Sequence, residues 1–409
     1  MGFAVMHRLR KRAEQIDVKT AKAALFPSLS FSTSQQVVNR PYQETSSRVS
    51  GSEIISSNSK TSYNGNYGLN ASWTLYNGNK RLKTIQQEKL NNQVAELDVA
   101  TSENNIQESI AQVYIQILYA AESVKVNEST LQVSIAQRDR GQELLNAGSI
   151  AKSDFAQLEA QVSTDRYQLV TAQATLEDYK LQLKQLLELD GENEMNIYLP
   201  ALSDENVLAP LPTQKDVYIS ALSLRPEIEA SKLNVEASEL GIGIAKSSYL
   251  PTISLSAGIG TNHTSGSDFT FGEQVKNGWN NSIGLSVSVP IFNNRQTKSA
   301  VQKAKLQYET SMLSLLDEQK TLYKTIEGLW LDANSAQQRY AAANEKLKST
   351  QISYELISEQ FNLGMKNTIE LLTEKNNLLQ AQQEQLQAKY MAILNMQLLK
   401  FYQGDQLAI

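Results

Sequence analysis

Residues 82–145 read LKTIQQEKLNNQVAELDVATSENNIQESIAQVYIQILYAAESVKVNESTLQVSIAQRDRGQELL. The stretch has no proline and a single glycine, Gly141, and it is bounded by Asn77-Gly78-Asn79 before it and Ala147-Gly148 after it. Its apolar residues Ile106, Ile110, Val113, Ile117, Val124, Leu131 and Ile135 are separated by threes, fours and sevens. That spacing lets a helix keep one stripe against its neighbours over many turns. At 1.5 Å per residue such a helix reaches roughly 95 Å, several times the width of a small domain. No ordinary core can enclose it, so the stretch is expected to form a rod.

The chain around it has 409 residues, 41% hydrophobic and 20% charged, with a formal net charge of −5. This charge gives no electrostatic footprint for nucleic acid. The absence of cysteine removes any disulfide framework or thiolate chemistry and is compatible with an oxidising compartment. No run approaches 18 apolar residues, the length a transmembrane helix needs. The basic run His7-Arg8-Leu9-Arg10-Lys11-Arg12 is not followed by an apolar segment of signal-peptide length. The expectation is either a cytosolic protein or one whose export signal is missing from this sequence.

A helix over Met6 to Ala24 is expected to stop before Pro27, since the residue preceding proline is pushed out of the α region. Two stretches of period-two alternation follow, Ser28 to Val37 and Tyr67 to Leu75, separated by a Ser/Asn/Gly-rich loop to about Ser62. This is the signal of strands. After the rod, a return helix runs from Ser153 to Leu189, an irregular segment contains Pro200, Pro210 and Pro212, and a helix restarts near Val217 and runs through Pro226 to about Ser248. Here the chain repeats itself. Ala245 to Pro251 echoes Ala21 to Pro27, and alternating residues Ile253 to Ile259 and Ile283 to Ile291 lead into Phe292-Asn293-Asn294-Arg295, the counterpart of Tyr76-Asn77-Gly78-Asn79.

Gly68 maps to Gly284, Tyr76 to Phe292 and Gly148 to Gly364, and the numbers in each pair differ by 216, whereas Pro27 and Pro251 differ by 224. The second rod, roughly Lys298 to Asn362, therefore matches the first in length, and the eight-residue difference falls within the strand and loop segments. Tolerance of insertions there but not in the rods predicts exposed loop tips and two rods packed side by side. A last helix is expected from Thr368 to Phe401. Because nothing in the first half matches the residues before Arg225, the natural N-terminus is expected to be missing.

Each of the four strands has one apolar and one small or polar face over about ten residues, as outer-membrane barrel strands do. Open sheet edges are not tolerated in lipid and single-chain barrels begin at about eight strands, so four must be shared with further copies. Phe26, Tyr76, Tyr249 and Phe292 at the helix side, with Tyr63, Phe269, Phe271 and Trp279 at the loop side, suit interfacial girdles. A soluble hairpin with core aromatics is the competing reading of the strands alone. The rods are rich in Gln, Asn, Ser, Thr and Ala, a composition that suits a water-filled interior but also the solvated face of a coiled coil.

Tyr249-Leu250-Pro251-Thr252-Ile253-Ser254-Leu255, then Leu285 to Asn293, then a long helix, resemble the TolC family of outer-membrane efflux proteins. So do the two helix turns, Leu145-Asn146-Ala147-Gly148 with Asp154 and Phe361-Asn362-Leu363-Gly364 with Glu370 and Leu371. The likeness covers nearly the whole chain. It implies a mainly α fold with four membrane β-strands, internally duplicated, in which a TolC-like α-barrel continues a β-barrel completed by a trimer. The domains implied are a first-half helix at 1–26, a first outer-membrane hairpin at 27–76, a first periplasmic helical hairpin at 77–189, an irregular equatorial linker at 190–216, a second-half helix at 217–250, a second membrane hairpin at 251–292, a second helical hairpin at 293–402 and a tail at 403–409.

The resemblance further implies a passive trimeric conduit from periplasm to outside, set in outer-membrane lipid of a Gram-negative bacterium. Its partners would be a periplasmic adaptor protein and an inner-membrane transporter. Gly148 and Gly364 would mark the periplasmic tips, with Lys152, Asp154, Lys366, Glu370 and Glu374 beside them at the adaptor contact or gate. A second acidic ring falls on Thr373, with Glu374 adjacent, which departs from the family's arrangement. Asp154 and Glu370 also suit simple capping of a helix N-terminus. The alternative is a periplasmic coiled-coil adaptor or a non-channel scaffold; the doubled hairpin and the barrel-like flanks rank it lower. With two histidines, no cysteine and no phosphate-binding or nucleophile motif, no enzyme, metal or cofactor is expected.

Overall fold

The long helix of the first half, α2, runs from Lys80 to Asn146, and that of the second half, α7, from Gln296 to Asn362. Both have 67 residues. Their return helices, α3 (Lys152–Leu187) and α8 (Thr368–Gln403), have 36 each. Every one of these boundaries repeats at the single offset that relates Gly148 to Gly364, the register read from the sequence. The computed structural model describes residues 2–42, 46–50, 53–57, 60–189, 197–198 and 207–407. The predicted irregular segment 190–216 lies mostly outside them.

The remaining elements are α1 (Gly2–Ala23), β1 (Ser28–Asn39), β2 (Ser46–Ser50), β3 (Glu53–Ser57), β4 (Thr61–Asn77), α4 (Gln214–Leu224), α5 (Pro226–Ser247), β5 (Thr252–Thr264), α6 (Phe271–Asn277) and β6 (Asn280–Ser288). They fall into two units, one of Met1–Leu9, Glu96–Ala230 and Leu315–Ile409, the other of Arg10–Ala95 and Ser231–Ser314.

The second unit holds an antiparallel sheet in the order β1-β4-β5-β6, so the two predicted hairpins join through β4 and β5. Register aligns whole rows of like side chains. Leu29, Ala71, Ala257 and Ile283 form one row across the four strands, and Ser28, Ser72, Ser256 and Gly284 form the next on the opposite face. Adjacent residues of a strand face opposite ways, so apolar and small polar rows alternate along the sheet, with Asn281 opposite Ile259 and Thr33 and Thr261 opposite Tyr67 as exceptions. Leu29, Phe31, Ile283, Leu285 and Val287 are all exposed. Among the described residues, β1 and β6 each pair on one side only.

Three local expectations are corrected. The polar loop after β1 carries a further hairpin, β2–β3, paired from Ser46 with Ser57 to Ser50 with Glu53; its serine-rich sequence lacks the apolar alternation by which strands are read. The helix expected to pass through Pro226 is two helices. Arg225 is extended (φ −74°, ψ 125°), as the residue before proline must be, and Pro226 opens α5 at a position where its missing N–H costs nothing. The last strand ends at Ser288 rather than Ile291, since Pro290 has no N–H to give a ladder.

Strand meets rod through a doubled device. Gly78 and Asn79 have φ of 66° and 63°, and their counterparts in the second half, Asn294 and Arg295, have 50° and 67°. At Gly78 the requirement is also steric, because a Cβ there would lie 2.7 Å from the Ser247 carbonyl oxygen. Arg81 donates to the carbonyls of Ala24 and Thr74, and Trp73 Nε1 donates to Leu25 at 2.7 Å, which ties the end of α1 to β4 and α2.

In the first unit the core is formed by helices of both halves. Ile115 and Leu118 of α2 pack with Tyr340 of α7 and with Tyr390, Ile393, Leu394 and Leu398 of α8. A second cluster joins Val217 and Ala221 of α4 and Ile228 of α5 to Leu322, Ile326 and Leu399. Burying side chains of this size stabilises by about 1.5–3 kcal/mol each. The predicted seam of α2 is only part of what that helix buries. Ile117 and Leu131 are buried and the other seam residues half-buried, while Ala111, Ala120, Ala121, Asn127 and Ser134 are buried beside them. A helix with neighbours on several sides needs small residues on its other contact faces.

Candidate functional site

The two interhelical turns are built alike. After α2, Ala147 N–H donates to Glu143, Gly148 to Leu145 and Ser149 to Leu144; after α7, Leu363 donates to Glu359, Gly364 to Phe361 and Met365 to Gln360. Each bond in one turn has its counterpart in the other, at the same offset as the helix boundaries. The closing glycines both stand at φ +74°, the left-handed conformation that ends helices, with nothing within 4 Å of a Cβ built on either.

The caps that follow differ. Asn367 accepts from Glu370 N–H at 2.9 Å while Asn367 N–H donates to Glu370 Oε2 at 3.2 Å, a reciprocal capping box. At the first turn Ala151 occupies the cap position and has no side-chain acceptor; only the return bond exists, from Ala151 N–H to Asp154 Oδ2 at 3.3 Å. Glu370 also pairs with Lys366 at 2.5 Å. The Lys366 side chain, then the Asn367 N–H, hold the Glu370 carboxyl below its usual range. Lys152 is exposed. Glu374, a turn further along α8, accepts from Ser353 Oγ of α7 at 3.1 Å. The second turn presents Leu363, Met365 and Ile369 to solvent.

The structure thus brings Lys366 and Glu370 into direct contact beside Gly364, and sets Asp154 close behind Gly148. Behind both turns lie groups that sequence reasoning missed. Lys375 of α8 pairs with Asp165 of α3, and Ser134 of α2 bonds to both; each ionic side chain is only 3% exposed. Gln161 Nε2 donates to the other Asp165 oxygen at 2.9 Å. Nearby, Gln137 Nε2 donates to Tyr354 Oη at 2.7 Å, and Leu158, Phe361 and Leu371 form a buried apolar cluster. The signal available in the sequence was the repeat itself: Asp165 aligns with Ala381, a charge where the other half has a methyl group.

Another buried cluster lies at the α4–α5 junction. Arg225 reaches Glu227 at 2.8 Å and Glu108 at 3.2 Å, and its guanidinium carbon lies 4.3 Å from the Tyr402 ring centroid. Burial raises the Glu108 carboxyl and pushes the Tyr402 phenol up to about 12.

Two helical hairpins of equal length, each continuing a strand pair that shares one open sheet, define a TolC-like fold. The chain belongs to the outer membrane efflux protein family, whose profile matches residues 4–188 and 217–404. It is 24% identical over 288 residues to the outer membrane efflux protein BepC of Brucella suis, covering 70% of this chain and 60% of that protein. To the outer membrane protein TolC of Escherichia coli it is 23% identical over 311 residues, 74% of this chain and 62% of that one. The chain thus spans under two thirds of the length of both. The Campylobacter jejuni CmeC outer membrane channel superposes with a TM-score of 0.78 at 18% identity, covering all of this chain and 84% of the other, which establishes the fold.

Proposed function

We propose that this chain is one subunit of a passive trimeric conduit through the outer membrane of a Gram-negative bacterium, serving a tripartite efflux or export system. The observation that carries the reading is the four-stranded sheet with β1 and β6 each paired on one side only and its apolar rows exposed. A lipid-facing sheet must have no free edge. Three copies joined edge to edge give a closed wall of twelve strands, within the range of known barrels. The opposite rows of serine, glycine and asparagine then face a wet lumen. No helix among the described residues is long and apolar enough to cross a membrane.

On this reading β1, β4, β5 and β6 sit in outer-membrane lipid and the long helical hairpins extend into the periplasm. The turns carrying Gly148, Lys152, Asp154, Gly364, Lys366, Glu370 and Glu374 form the tip and entrance. Their partner is a periplasmic adaptor protein, and the energy comes from an inner-membrane transporter, so no catalytic step is assigned to this chain. The efflux channels among its relatives favour this over an adaptor or scaffold. Crosslinking in outer-membrane extracts is expected to trap trimers, and the purified protein is expected to conduct ions in liposomes. Monomers alone, or conductance no greater than that of empty liposomes, would overturn the reading.

A further inference from the structure

Along one face of the α7–α8 hairpin lies a groove of about 520 Å³, large enough for a small organic molecule. Ala336, Ala343, Ala388 and Met391 give it an apolar lining. Lys346 closes one end by pairing with Glu384 at 2.8 Å. Counting back from that pair along the antiparallel helices sets Arg339 level with Met391, and Ser335 level with Asn395 about 16 Å away.

Asn395 is the anomaly. It lines the groove and is only 6% exposed, yet its Nδ2 has no hydrogen-bond partner among the described residues. Buried amides are almost always paired, so a donor left open at a cavity wall calls for an acceptor from outside. Arg339, one turn away on the rim, is exposed and has no ion pair among the described residues.

The repeat supplies a control. At the offset of 216, Ser335 and Asn395 correspond to Tyr119 and Tyr179, and Arg339, Lys346 and Glu384 to Ser123, Thr130 and Gln168. The first half builds a hairpin of the same length with two large side chains and none of these charges. The fold therefore does not demand them.

The groove also has a definite outlook. Trp330 and Gln337 of α7 hold the irregular segment by donating to the carbonyls of Pro212 and of Val207 and Ala209. Asp332 and Arg339 follow two residues after each, roughly 200° round the helix, so groove and segment occupy opposite faces of α7. In a ring of such hairpins an irregular segment on the inner side would obstruct the duct. It belongs outside, and the groove then opens on the tunnel.

We propose that this groove is a binding pocket in the tunnel wall, one per chain, for a small amphipathic carboxylate. The apolar body lies on the alanine and methionine lining, and the carboxylate accepts from Asn395 Nδ2 and the Arg339 guanidinium. This rests on the conduit reading above. Asp332 is the one unpaired anion along the groove, and it opposes such a ligand.

The test is calorimetric titration of the purified trimer in lipid nanodiscs with naphthylacetate, subtracting empty discs. Saturable uptake of one molecule per chain is expected, and naphthylacetamide, the same body without the charge, should bind about tenfold more weakly. Arg339→Gln and Asn395→Leu should each weaken naphthylacetate at least fivefold, and Asp332→Asn should tighten it. Ser335→Tyr, which installs the residue the first half carries, should abolish binding. Uptake that does not saturate, or saturable uptake that Arg339→Gln and Asn395→Leu both leave unchanged, overturns the proposal. Conductance by the same preparation separates the two claims: a conducting trimer without saturable binding loses the pocket and keeps the conduit. A trimer that binds but never conducts sinks the conduit reading, and with it the place of the pocket in a tunnel.

Discussion

Gly148 and its repeat counterpart Gly364 stand at the same φ of +74°, each closing a 67-residue helix with the same three backbone hydrogen bonds. Space around both is open, so what a side chain disturbs there is conformation and surface, not packing. Alanine at either position is expected to cost about 1 kcal/mol, because a Cβ disfavours the left-handed region. Aspartate tolerates that region better. Gly148→Asp with Gly364→Asp should therefore leave trimers intact on a native gel while lowering export, since it places like charges at every tip. Unchanged export by that double variant in cells would remove the tips from the partner contact.

The unequal caps give a second expectation. Asn367→Ala breaks one arm of the capping box and should destabilise α8 by about 1 kcal/mol, whereas Ala151→Asn supplies the missing acceptor and should stabilise α3 by a similar amount. Thermal unfolding of the two variants reads both signs. Glu370 adds a pH dependence. Its carboxyl is held below the usual range by Lys366 and Asn367, so its contribution is complete above the ordinary glutamate value and is lost as the pH falls through the lowered one. Glu370→Gln should flatten the acid side of the stability curve.

Arg225 is the point at which α4, α5, α2 and α8 are tied. Arg225→Met would leave Glu108 and Glu227 facing each other without a cation, and a loss of about 3 kcal/mol is expected from breaking a buried pair. Arg225→Lys keeps the charge but loses the fork that spans both carboxylates and the flat face against Tyr402. It should recover only part of that loss in denaturant unfolding.

Much of this architecture was legible because it is written twice. The helix boundaries, the junctions at Gly78 and Asn294 and both turns repeat at one offset, and a repeat constrains length in a way a single helix does not. What escaped reading is what occurs once. Lys375 and Asp165 lie among polar residues on helices already rich in them, and a sequence does not say which of several charged residues turns inward. The β2–β3 hairpin and the break at Arg225 were missed for local reasons, a serine-rich strand without alternation and a proline at the first position of a helix. The capping role of Glu370 and Asp154 was readable from their place in the first turn of each return helix, and both accept from the cap N–H; that Ala151 leaves the first cap one-armed follows from its side chain having no acceptor.

Tyr402 makes the alkaline limit testable. Its phenol is pushed up to about 12, by burial first and by the neighbouring Glu108 next. A group that holds its proton more firmly when folded contributes stability that is complete below its ordinary value near 10 and is lost as the pH rises through the raised one. Melting temperatures between pH 9 and 12 should therefore fall less steeply for Tyr402→Phe than for the wild type. Parallel curves would show that the phenol ionises as freely in the fold as out of it.

The membrane face of the sheet is tested most directly at adjacent residues of β6. Leu285 lies in an apolar row opposite Leu255, and Ser286 lies in a polar row opposite Ser254. The two side chains point to opposite faces, so one substitution samples lipid and the other the lumen. Leu285→Arg places a charge near the middle of the hydrocarbon and should cost about 2–4 kcal/mol. Ser286→Arg should cost little, because its guanidinium reaches water. The measurement is the temperature at which the detergent-extracted trimer dissociates, together with the amount recovered from outer membranes. A selective loss for Leu285→Arg fits lipid on that face, and equal tolerance of both would mean that water bathes the sheet on both sides.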